Sequence, residues 1–182
     1  MITAAYKKPV FLKEFAKGFG ENNPQGIQIM SFFDGVSYAR LFHEIKGVKF
    51  KKEEIRDMYS YFAAAVPSGF FNTAEFLSCA SVVTGRCLTQ ADCSLRMFMH
   101  GSFTLMHEEN AGEGIEFFFD LTPAWNHTHG GNIVLLADDN APLFAPHAPN
   151  SLILGMKGRS YVKYVNVNAR LEGRMMVYGT LK

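Results

Sequence analysis

From residue 95 onward the chain consists of short apolar runs broken by Gly, Asn, Asp and Pro. This pattern limits the fold more than any other feature of the 182 residues. We read strands at Leu95–Met99, Phe103–Glu109, Glu116–Leu121, Asn132–Leu136, Ser151–Met156, Tyr161–Val167 and Arg174–Leu181. Asp138, Asp139, Asn140 and Pro142 form one connection, and Pro146–Asn150 another. A parallel sheet needs a helix between successive strands, and the pattern here supplies none. Strands this closely spaced build a sandwich or jelly roll.

The first half reads differently. Gly26–Phe33 has the pattern of a strand leading into a helix. Val36–Ile45, Lys52–Ala65 and Thr73–Val83 carry apolar residues at three- and four-residue spacing, which predicts helices. Asn72 is placed to cap the third of these and Gly85 to end it. All the expected helices precede the strands, so they should cover one outer face. The expectation is an α+β fold in one domain, 1–182, with 1–94 mainly helical support and 95–182 the strand core.

Composition excludes several functions. The chain is 48% hydrophobic and 19% charged, and a chain of this length buries roughly 70% of its unfolded surface, so no staple is needed. Eighteen basic and seventeen acidic residues leave a net charge of +1. The longest basic cluster, Lys49, Lys51 and Lys52, runs at once into Glu53 and Glu54, which argues against a nucleic-acid partner. Cys79, Cys87 and Cys93 form no CxxC pair and read as reduced thiols rather than a disulfide framework or zinc site. No segment has the apolar core of a secretory signal or the length of a membrane span, so a cytoplasmic protein without a membrane partner is expected. Neither a GxGxxG loop nor a GxSxG elbow occurs.

His107-Glu108-Glu109 is the triplet richest in chemistry. Residues two apart on a strand share a face, so His107 and Glu109 would project together. They are two of the three ligands of a 2-His-1-carboxylate site for non-haem Fe(II). A solvated strand end would read the same way. Beyond the triplet come Leu121-Thr122-Pro123-Ala124-Trp125, Gly130-Gly131, Pro149-Asn150-Ser151-Leu152, Ser160 and Arg174 with Gly179. Val83-Thr84-Gly85 and Gly101 stand before it.

In this order the motifs resemble the Fe(II)/2-oxoglutarate dioxygenases of the prolyl 4-hydroxylase type, in particular the branch acting on a ribosomal protein. The resemblance spans roughly residues 25–182. It implies a double-stranded β-helix (a jelly roll, cupin-like), Fe(II) at His107 and Glu109, and a 2-oxoglutarate carboxylate held by Arg174. It also implies a prolyl residue of a protein or peptide as substrate, while the residues themselves leave a peptide or a small-molecule substrate open. The departures fall at the site. The family's Asp is Glu109, its distal His falls at Val162, and the Tyr that touches 2-oxoglutarate aligns with Phe98. Valine binds no metal, and a register slip of two would offer only Tyr164. Phenylalanine has no hydroxyl. Phe98 and Val162 are therefore expected to line the cavity beside Arg174.

No other histidine replaces the missing ligand comfortably. His100 reads as a partly buried strand residue and is the first alternative. His127 and His129 sit on the hairpin after Trp125, His147 reads as a surface loop residue, and His43 lies on a helix. Phe117-Phe118-Phe119 reads as a strand buried on both faces, and the nine methionines as core fillers. Losing even an outer-shell partner costs a metal site about 10–100-fold in affinity, so a lost imidazole should cost more. The expectation is a barrel with weak or absent catalysis, holding Fe(II) and 2-oxoglutarate only if active. The alternative is an active hydroxylase whose third ligand is not evident.

Overall fold

The computed structural model describes residues 1–21, 26–67, 69–105, 114–136, 142–157, 160–162 and 173–182. Three helices, α1 (Pro9–Glu21), α2 (Gly35–Ile45) and α3 (Ala74–Thr84), lie in the first half. Helix α2 starts at Asp34, whose carboxylate accepts from the Ser37 amide at 2.7 Å. At α3 the cap is Thr73, which accepts from the Phe76 amide at 3.2 Å, and not the expected Asn72. Asn72 instead exchanges two hydrogen bonds with the backbone of Ala91, both 2.7 Å. Gly85 ends α3 at φ 69°, as expected.

Helix α1 was not expected. Leu12, Phe15 and Phe19 recur on its inner side at helical spacing and Pro9 opens it, but Gly18 and Gly20 weaken the pattern.

The expected helix at Lys52–Ala65 is a hairpin: β2 (Lys51–Ile55) turns back into β3 (Tyr59–Ala65), with Asp57 at φ 61° in the turn. Tyr59, Tyr61 and Ala63 alternate toward the interior, while β2 is exposed along its length as the sheet's edge. Pairing with the sheet overrides the helix-forming character of KKEEI.

The larger antiparallel sheet has the order β1 (Gly26–Ile29), β9 (Ser151–Met156), β6 (Ile115–Asp120), β11 (Arg174–Leu181), β4 (Ala91–Phe98), β3 and β2, with β5 (Phe103–Thr104) beside β3. The smaller sheet has the order β10 (Ser160–Val162), β7 (Ile133–Leu136) and β8 (Pro142–Ala145). Strand β8 is not among the expected strands, and its first residue, Pro142, is one expected in a connection. It is an edge strand opened by a proline, a position that needs no ladder donor. The expected strands at 103–109 and 161–167 appear here as β5 and β10, and their remaining residues lie mostly outside the described ones.

Alternation along the strands of the larger sheet separates two cores. Phe117, Phe119, Leu152, Leu154, Val177 and Leu181 face the helices, where they meet Phe19, Leu41 and Phe76. Phe118, Ile153, Met176 and Phe98 face the smaller sheet and meet Ile133, Leu135 and Val162. The three-phenylalanine run is thus buried on both faces, as its sequence requires. No helix among the described residues is long and apolar enough to cross a membrane.

Candidate functional site

Asp120 closes β6 and Arg174 opens β11, on neighbouring strands of the larger sheet. Both face the interior between the sheets, on the side of Phe118 and Met176. Their side chains are 1% and 0% exposed. Nη2 of Arg174 donates to Oδ2 of Asp120 at 2.9 Å, and Nη1 donates to the Gly131 carbonyl. That carbonyl is aimed inward by the Gly130-Gly131 turn, where both residues have positive φ (76° and 65°), a pair that side chains would strain. Nε of Arg174 is buried and has no partner among the described residues.

Asp120 has further partners. The Thr122 amide donates to Oδ1 at 3.0 Å, and His147 Nδ1 lies 2.7 Å from Oδ2. Burial alone would push the Asp120 carboxyl up. The hydrogen bond from His147 and the charges of Arg174 and His147, with the Thr122 amide, outweigh it and hold the group below the usual carboxylate range. An ionised carboxylate only accepts, so His147 carries its proton on Nδ1. His147 is 12% exposed, which corrects its reading as a surface residue.

Val162, 1% exposed, belongs to the same interior cluster as Phe98 and Met176. Its amide donates to Thr104 Oγ1 at 2.8 Å, tying β10 to β5. Phe98 is fully buried and stands opposite Arg174 in the β4–β11 ladder. His107, Glu109 and Tyr164 lie outside the described residues. Among the described residues, no three His, Cys, Asp or Glu side chains converge as a metal-binding group. His100, read as a partly buried strand residue, is exposed in the turn after β4. His43 is exposed on α2. His129 packs edge-on against Trp125, 5.5 Å between centroids, and the Trp125 indole donates to the Gly130 carbonyl under its own hairpin.

For a 2-oxoglutarate carboxylate, the fit is poor at Arg174. Both terminal nitrogens of its guanidinium are engaged inside the protein. An incoming carboxylate would have to displace Asp120 or share the cation with it. Val162 presents no donor atom to a metal.

A second feature lies further along the same interior face. A cavity of about 340 Å³ is lined by Tyr61, Arg96, Glu116, Phe118, Lys157 and Tyr178, among others. The Tyr178 hydroxyl donates to Glu116 Oε2 at 3.3 Å. Burial and the Glu116 charge push the Tyr178 phenol far above its ordinary value, so it stays a donor.

No protein-family model and no curated protein matches the chain in sequence. Solved structures match it over nearly its whole length. A prolyl-4-hydroxylase from Pseudomonas putida superposes with a TM-score of 0.68 at 12% identity, over 94% of this chain and 98% of that one. A 2OG-Fe(II) oxygenase family oxidoreductase from Burkholderia pseudomallei gives 0.69 at 14% identity, over 94% and 89%. A prolyl hydroxylase from Trichoplax adhaerens, in complex with a hypoxia inducible factor oxygen degradation domain peptide fragment, gives 0.68 at 15% identity, over 96% and 93%.

Proposed function

We propose that this chain, which has the double-stranded β-helix fold of the prolyl 4-hydroxylase-like 2-oxoglutarate/Fe(II) oxygenases, is a binding module with weak or no oxygenase activity. The observation that carries the reading is the Asp120–Arg174 pair. The arginine that would clamp a 2-oxoglutarate carboxylate already holds one from its own chain, behind a fully buried side chain. Two other positions support it. Val162 stands where the resemblance expects a histidine, and Phe98 where it expects a tyrosine, and both pack in an apolar cluster. Loss of catalysis accounts for all three features at once, whereas an active enzyme must account for each separately.

A peptide or a small molecule would be the partner. Support for a peptide comes from the Trichoplax neighbour, whose structure holds one. Residues 1–182 act as one folding unit in this reading, because a single core joins α1, α2 and α3 to the larger sheet. A reducing, cytoplasmic location fits three free cysteines, two of which, Cys79 and Cys93, have thiols that burial pushes up to about 11.

The competing reading is an active hydroxylase holding Fe(II) at His107 and Glu109 with a third ligand elsewhere. The retained H-x-E spacing of the sequence favours it. One experiment separates the two: anaerobic addition of Fe(II) and 2-oxoglutarate, watching for the visible charge-transfer band of their complex. The binding-module reading expects no band above that of the protein-free mixture, and a saturable band would overturn it.

A further inference from the structure

The cavity on the interior face has a feature that the Asp120–Arg174 pair lacks: a guanidinium with its terminal nitrogens open. The Arg96 guanidinium carbon lies 3.8 Å from the Tyr178 ring centroid and 4.5 Å from that of Tyr61. Its Nε donates to Ser94 Oγ at 3.3 Å, while the two terminal nitrogens make no hydrogen bond to any described residue. The rings hold the head group by cation–π contact and fix its orientation. The fork therefore faces the cavity already ordered, and less entropy is lost when a carboxylate docks.

The surroundings narrow the ligand. Tyr59 and Tyr61 stack at 5.1 Å and 26°, and Phe118 packs on Tyr178 at 5.1 Å, so aromatic surface frames the guanidinium. Of the lining lysines, Lys182 is already paired with Asp92. Arg96 and Lys157 then stand against Glu116, with Glu53 acting on Arg96 from the edge strand. The named charges cancel, so the anion site rests on the geometry of the Arg96 fork, and a ligand with a second carboxylate would meet Glu116. Burial also lowers the proton affinity of Arg96, a cost that an anionic partner offsets. A volume of about 340 Å³ is at the small end of ligand pockets, which run roughly 300–1,000 Å³.

We propose that this cavity binds a small monocarboxylate with an aromatic or apolar body, its carboxylate held bidentate by Arg96 and its body laid on the tyrosine and phenylalanine rings. The site uses a different arginine from the oxygenase site, so it stands or falls separately from the absence of turnover.

Benzoate is the probe, with benzamide as its neutral isostere and inorganic phosphate as a non-planar anion. Each is titrated into ¹⁵N-labelled full-length protein in EDTA, with no iron present. Benzoate should shift the amides around Tyr61, Arg96 and Tyr178 saturably, and benzamide and phosphate should bind at least tenfold more weakly. Arg96→Met should lower benzoate affinity at least tenfold with a native spectrum elsewhere, and Arg96→Lys should fall between. Leu105, 47% exposed on the rim, gives a second variant that leaves the core alone. Leu105→Glu should weaken benzoate severalfold. Absence of a saturable benzoate shift in folded wild type, equal binding of benzamide, or undiminished affinity in Arg96→Met or Leu105→Glu would overturn the proposal. Succinate release by the wild type would overturn the non-catalytic reading and leave this one untouched.

Discussion

Asp120 and Arg174 pair inside the protein: Oδ2 accepts from Nη2 at 2.9 Å, with both side chains at or below 1% exposure. A buried pair of this kind is costly to break from one side, because the partner left behind is a desolvated charge. Asp120→Asn should therefore lower unfolding stability by about 3–5 kcal/mol. Asp120→Leu with Arg174→Met should recover most of that loss, since apolar replacement of both partners is often neutral or better. Urea denaturation of the three proteins measures both effects. Equal stability of Asp120→Asn and wild type would mean the pair is not formed.

The same pair sets an acid dependence. The Asp120 carboxyl is held below the ordinary carboxylate range by His147, Arg174 and the Thr122 amide, against its own burial, and the half-buried Tyr38 phenol is a further titratable group acting nearby. A folded-state value below the unfolded one gives stability that is complete above the ordinary carboxylate pKa of about 4 and lost as pH falls through the lowered value. Stability measured from pH 6 downward should fall more steeply for wild type than for Asp120→Asn. Parallel acid limbs would contradict this.

Asn150 shows how a matched motif can have a structural reason. It sits at φ 58° just before β9. Its side chain accepts from the Phe33 amide at 3.0 Å and donates to the Phe33 carbonyl at 2.8 Å, while its own amide donates to the Asp120 carbonyl at 2.9 Å. Asn150→Ala loses both side-chain bonds and strains the left-handed backbone, so a loss of about 2–4 kcal/mol is expected. Asn150→Gly keeps the backbone and should cost less. A thermal melt of each reads the order, and Ala no worse than Gly would refute it.

How far the sequence could be read depends on the range of each interaction. The strands after residue 95 were legible because short apolar runs and Gly/Pro punctuation are local signals. The hairpin at 51–65 was not, because Ile55, Met58, Tyr59 and Phe62 sit at helical spacing and only pairing with β4 decides between the two. Arg174 was found from its place in a motif, but its partner was not. Asp120 follows three phenylalanines and precedes Leu121 and Thr122, and so looks like an ordinary strand end. A carboxylate set directly after three buried phenylalanines was the available sign that it needed a buried partner. His147 lies 27 residues from Asp120, and nothing local to its loop announces that contact.

The central claim is that Arg174 is committed to Asp120 and unavailable to 2-oxoglutarate. The most direct measurement is succinate release by the wild-type protein with Fe(II), ascorbate and 2-oxoglutarate, counted per protein molecule. The account predicts no release above the protein-free background, while typical enzymes turn over at about 1–10³ s⁻¹. Sustained release of many succinates per protein molecule would contradict it.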